Sequence, residues 1–121
     1  MILENGGVPR RGAIREIANT EKGGEQLMGK FLAVHTLPAP ATIEELAPVG
    51  KAAKAYSTLD AYWVGAWSQL DEKGKVARIF CEWDAKDVAS IRKVFDAILK
   101  KVPVPVDGIW PMTRVEAEAY R

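Results

Sequence analysis

The chain reads as an α+β domain whose elements follow the order β-α-β-β-α-β, and three observations carry that reading. Runs rich in β-branched and aromatic residues occur at Lys30–Leu37, Asp60–Leu70, Lys75–Trp83 and Gly108–Val115. Two intervening stretches carry apolar residues at helical spacing behind a capping residue, one after Thr42 and one after Asp84 or Asp87. A single tight turn, Asp71-Glu72-Lys73-Gly74, joins the second and third strands.

The first strand is KFLAVHTL, apolar and partly β-branched, and Pro38 and Pro40 are expected to stop it at Leu37. Thr42-Ile43-Glu44-Glu45 is a capping box, with Thr at the cap and Glu three residues later. The helix behind it should reach about Ser57, with Ile43, Leu46, Gly50, Ala53 and Ser57 along one stripe. Pro48 lies beyond the first position and should kink this helix or split off its first turn. Gly50 and the alanines make the buried face thin and favour close approach to a sheet.

The second strand, DAYWVGAWSQL, is aromatic-rich, and KVARIFCEW follows the turn as the third. The second helix should run to about Lys101, with Val88, Ile91, Phe95, Ile98 and Leu99 recurring at helical spacing. Val102-Pro103-Val104-Pro105-Val106 cannot be helical and should run extended. Pro111 confines the last strand to a sheet edge or a bulge. The residues after it read as a solvated tail. This order is the ferredoxin-like arrangement, a four-stranded antiparallel sheet with both helices on one face. The other face then has no cover within the chain, so an apolar surface there calls for a partner or a ligand.

Residues 1–27 hold few large apolar groups and no sustained period, unlike the domain read over 28–121. They read either as a flexible extension or as translated leader upstream of a start at Met28, since Gly23-Gly24-Glu25 can be encoded by a purine-rich run at ribosome-binding distance.

Seventeen basic and sixteen acidic residues among 121 nearly cancel, which argues against binding nucleic acid by phosphate neutralisation and against a polybasic membrane anchor. No apolar run is long enough to span a bilayer, and the start lacks a secretory pattern. The lone cysteine, Cys81, excludes an intramolecular disulfide and fits a reducing cytoplasm. A phosphate-binding Gly-rich loop, CxxC, HExxH and GxSxG are all absent.

Strand parity sorts the candidates for function. Leu32 and Val34 alternate with Phe31, Ala33 and His35, and Ala77, Ile79, Cys81 and Trp83 alternate with Arg78, Phe80 and Glu82. Unpaired polar groups are costly under the helices. His35, Phe31, Arg78, Phe80 and Glu82 are therefore expected on the open face, and Leu32, Val34, Ala77, Ile79 and Cys81 under the helices. Parity leaves the side of Trp63 and Trp67 undecided.

His35, the one histidine, suits a metal ligand or a proton-transfer group, against the plain reading of a hydrogen-bonded, inert strand residue. Glu82 would orient or deprotonate His35 or complete a metal site with it, against the plain reading of an ion pair with Arg78. Cys81 is a soft metal ligand or a small core residue. Trp63 and Trp67, with Trp83 and Trp110, are core, interface or ligand platform.

Residues 30–115 resemble small bacterial ferredoxin-like domains of unassigned function, one subgroup of which is described as nickel-responsive or nickel-binding. The resemblance rests on Leu37-Pro38 followed by Glu44-Glu45-Leu46, on Phe80–Ala85 with Asp87 to Arg92, and on Val104-Pro105-Val106-Asp107. It implies a homodimer closed through the open sheet face, a dimeric α+β barrel, and binding of nickel or another divalent transition metal in which Cys81 takes part. Expected, then, is a homodimeric protein holding a small ligand or metal on that face through His35 and Glu82, with Arg78 on an anionic group. A cofactor-independent monooxygenase or isomerase with His35 in proton transfer is the alternative, and a dimerising scaffold without chemistry is a third.

Overall fold

The computed structural model describes residues 28–120. The reading of residues 1–27 as extension or leader lies outside them. Met28–Met112 form one compact unit. Residues 113–120 belong to a second, and hold a 3₁₀ turn at Ala117–Tyr120 and an ion pair from Arg114 to Glu116.

The main unit is α+β and ferredoxin-like. Its elements are β1 (Gly29–Ala41), a 3₁₀ turn (Glu44–Leu46), α1 (Ala47–Tyr56), β2 (Ala61–Leu70), β3 (Val76–Ala85), α2 (Val88–Leu99) and β4 (Gly108–Met112). The four strands are antiparallel in the order β2-β3-β1-β4, so β1 and β3 are central.

β1 runs through Pro38 and Pro40 instead of stopping before them. The reason lies in its neighbours. β4 pairs with β1 only from Lys30 to Val34, and the β1–β3 register shifts between Thr36 and Ala41. Both prolines fall where the ladder asks no N–H of them. Pro111 likewise sits on β4, an edge strand.

The capping box forms both of its reciprocal bonds. Thr42 N donates to Glu45 Oε1 at 2.8 Å, and Glu45 N donates to Thr42 Oγ1 at 3.0 Å. Pro48 splits the first turn off as the 3₁₀ segment and itself sits in the opening turn of α1. Ser57 ties the far end of α1 to the sheet: its Oγ donates to Ala53 O at 2.8 Å and accepts from Trp63 N at 3.0 Å. Asp87 caps α2, accepting from Ser90 N at 2.8 Å. Gly74, with φ of 80°, takes the left-handed position of the β2–β3 turn.

The core lies between the helices and one sheet face. It joins Ala33, Ala61, Trp83 and Ala85 of the sheet to Ala53 of α1 and Ile91, Val94, Phe95 and Ile98 of α2. Val94 takes the place expected for Leu99, which is exposed beyond the buried stripe.

Candidate functional site

Cross-strand register decides which side chains share a face. Phe31 lies opposite Trp83, Ala33 opposite Cys81 and His35 opposite Ile79. Trp83 and Ala33 are core residues under the helices, so His35 and Phe31 lie there too. His35 is 1% exposed, and its ring meets that of Phe95 on α2 edge-on, with centroids 5.2 Å apart. The expectation of His35 and Phe31 on the open face is therefore corrected, as is that of Leu32 and Val34 under the helices. Burying His35 leaves no unpaired donor at Nδ1, because its partner is packed against it. Its Nδ1 donates to the carbonyl of Pro105, 2.6 Å away. On the open side, Val34 sits opposite Gly108, against which the Trp110 indole folds.

Arg78, Phe80 and Glu82 do face away from the helices, opposite Thr36, Val34 and Leu32. Trp63 and Trp67 part company. Register shifts between Trp63 and Gly65, a bulge at Val64. Trp63 consequently pairs with Trp83 on the helix side and Trp67 with Phe80 on the open side, where it is 81% exposed.

Glu82 binds neither His35 nor Arg78. Lys30 Nζ contacts Glu82 Oε2 and Asp84 Oδ1, each at 2.5 Å. Burial lowers the Lys30 pKa, but the bonds to Asp84 and Glu82 outweigh it and hold the pKa above the usual lysine value. Arg78 lies 5.3 Å over the Phe80 ring and donates through Nε to Thr36 Oγ1 at 3.2 Å. Thr36 in turn donates to Asp107 Oδ2 at 2.5 Å. The donors expected for a metal are thereby separated: His35 and Cys81 lie under the helices and Glu82 on the opposite face. Among the described residues no three His, Cys, Asp or Glu side chains converge on one point.

The helix side holds a cleft instead, about 310 Å³ and partly open to solvent, between the first helical layer and the sheet. Among the described residues its polar lining consists of His35, Ser68, Cys81, Trp63 and Trp83, its walls are otherwise aliphatic or aromatic, and no Asp, Glu, Lys or Arg lines it. Gly50 and Ala53 on α1 supply walls without bulk. The thin helix face noted in the sequence is therefore not wholly taken up by close packing. The contribution of Trp83 and Phe95 to this site was missed, because both fall in periodic patterns that any core would show.

The chemistry of the cleft centres on His35. A backbone carbonyl only accepts, so Nδ1 carries the proton and Nε2 presents a lone pair. Burial pushes the His35 pKa down, against smaller upward pulls from the Pro105 carbonyl and Asp107. At neutral pH the ring is an uncharged acceptor. Nε2 takes no hydrogen bond from any described residue, and it is not among the polar atoms sealed away without partners. Those are the indole nitrogens of Trp63 and Trp83. The Trp63 N–H lies close enough to Cys81 to favour its thiolate slightly, yet it makes no hydrogen bond of ordinary geometry. Burial dominates and pushes the Cys81 thiol up to about 11, so it stays protonated.

No family model, curated protein or solved structure matches the chain. Among the described residues no helix is long and apolar enough to cross a membrane.

Proposed function

We propose that the protein binds a small molecule in the cleft between α1 and the sheet, with His35 as its principal polar contact. The observation that carries this reading is a buried, uncharged imidazole whose Nε2 has no donor among the described residues, in a cleft of ligand size. The ligand role expected of the open face thus moves to the other side of the sheet. No metal is proposed there, since His35 and Cys81 lack a third donor of their kind among the described residues.

Camphor, a compact neutral probe, tests the cleft by calorimetric thermal unfolding. Ligand at a hundred times its Kd adds about 2.7 kcal/mol of stability. Ala66 lines the cleft at an exposed position, so Ala66→Trp should block the cleft and abolish the shift. A shift unchanged in Ala66→Trp would place binding elsewhere.

Proton transfer is the second reading, favoured by the fixed tautomer, which leaves Nε2 as a neutral base. For the open face we propose pairing with a second copy of the chain. Trp67, Trp110, Met112 and Tyr62 together expose an apolar surface there, as a partner face requires. Sedimentation of Trp67→Lys as a monomer, against a dimer for the parent, is the expected result.

A further inference from the structure

Resting on the reading of the cleft as a binding site, we infer that it selects neutral, largely hydrocarbon molecules carrying a hydroxyl group, which donates to Nε2 of His35. Three features of the cleft converge on this class.

The first is charge. Among the described residues no Asp, Glu, Lys or Arg lines the cleft. Asp107, the carboxylate nearest in effect to His35, is already engaged by Thr36. An anion or cation entering the cleft would lose its hydration and find no counter-charge. The second is the direction of hydrogen bonding. The Pro105 carbonyl holds the ring with Nδ1 protonated, so Nε2 only accepts. A ketone, ether or ester oxygen set against it brings a second lone pair and no proton. A hydroxyl brings the proton. The third is size. At about 310 Å³ the cleft is roughly twice the ~150 Å³ cavity that takes a benzene ring, enough for a fused or bridged bicyclic skeleton.

Borneol, camphor and bornane share one bicyclic skeleton and carry a hydroxyl, a ketone and neither. Isothermal titration of the full chain at pH 7.5 should find borneol about tenfold tighter than camphor or bornane, the value of one hydrogen bond to a buried acceptor. The corresponding bornane carboxylate should not bind. In His35→Phe the borneol preference should fall to about onefold. The single histidine makes a check in the unmutated protein direct: the ¹⁵N resonance of Nε2 should move upfield with borneol and stay put with camphor. Equal affinity for the three neutral probes, tight binding of the carboxylate, or a preference that survives His35→Phe would overturn the hydroxyl assignment while leaving the cleft a binding site. Failure of all three neutral probes to bind would overturn the cleft reading as well.

Discussion

Acid should destabilise this protein through His35 before any carboxylate takes part. The imidazole is folded away neutral, with its pKa driven down by burial, while the unfolded chain protonates it near 6.5. Between those two values the unfolded state binds the extra proton, so stability is complete above about pH 6.5 and falls as pH drops below it. From pH 7.5 to 5.5 the unfolded state gains at most a factor of ten in proton binding, about 1.4 kcal/mol. For a domain of this size that corresponds to a loss of roughly 0.5–1.4 M in the urea midpoint. Asp107 favours the protonated ring and trims the effect. The window is clean because the chain has one histidine. Asp87, Asp107 and Glu45, whose pKa values are held down chiefly by bonds from Ser90, Thr36 and Thr42, titrate lower. His35→Gln keeps a donor for the Pro105 carbonyl and cannot titrate. Urea unfolding at the two pH values should show the loss in the parent and none in this variant. A parent midpoint that holds between pH 7.5 and 5.5, or an equal loss in His35→Gln, would refute a neutral, desolvated imidazole under the helices.

Other substitutions probe the packing on either side of the sheet. Gly50→Ala should stabilise by about 0.8–1 kcal/mol, seen as a higher melting temperature. The position is helical, and the added methyl would meet Trp63 at 3.7 Å, an ordinary contact. Gly108→Ala should do the reverse, by 1 kcal/mol or more, and shift indole emission to the red. Its methyl would land within 3 Å of the Trp110 ring, which must swing off Val34's neighbour into solvent. The Cys81 thiol, pushed up to about 11, should react with a disulfide reagent at pH 8 roughly a hundredfold more slowly in the native protein than after denaturation.

Much of the fold was legible because it rests on local chemistry. Thr42 and Glu45 satisfy each other within one turn, Asp87 satisfies Ser90, Gly74 alone tolerates its backbone angle, and Pro48 breaks whatever helix contains it. Each of these needs only its neighbours in the chain. The order of strands and helices follows from such signals, and so does the central position of β1 and β3.

The site was not legible in the same way. Alternation along β1 separates Leu32 and Val34 from Phe31, Ala33 and His35, but both sets are apolar enough to be buried, and periodicity carries no sign that says which set faces the helices. That choice is made by register against Trp83 and Cys81, about fifty residues onward. One extra residue at Val64 sends Trp63 and Trp67 to opposite faces, a two-against-one geometry that no pattern of residue types announces. The partner that lets a histidine go inside is a backbone carbonyl seventy positions away, and every residue has one. The chain's own pattern thus determined the elements and their order, because caps, turns and periods act over a few residues. Tertiary pairing alone decided that the imidazole is buried, neutral and turned toward a cleft, because the free energy of burying it depends on what folds back to meet it.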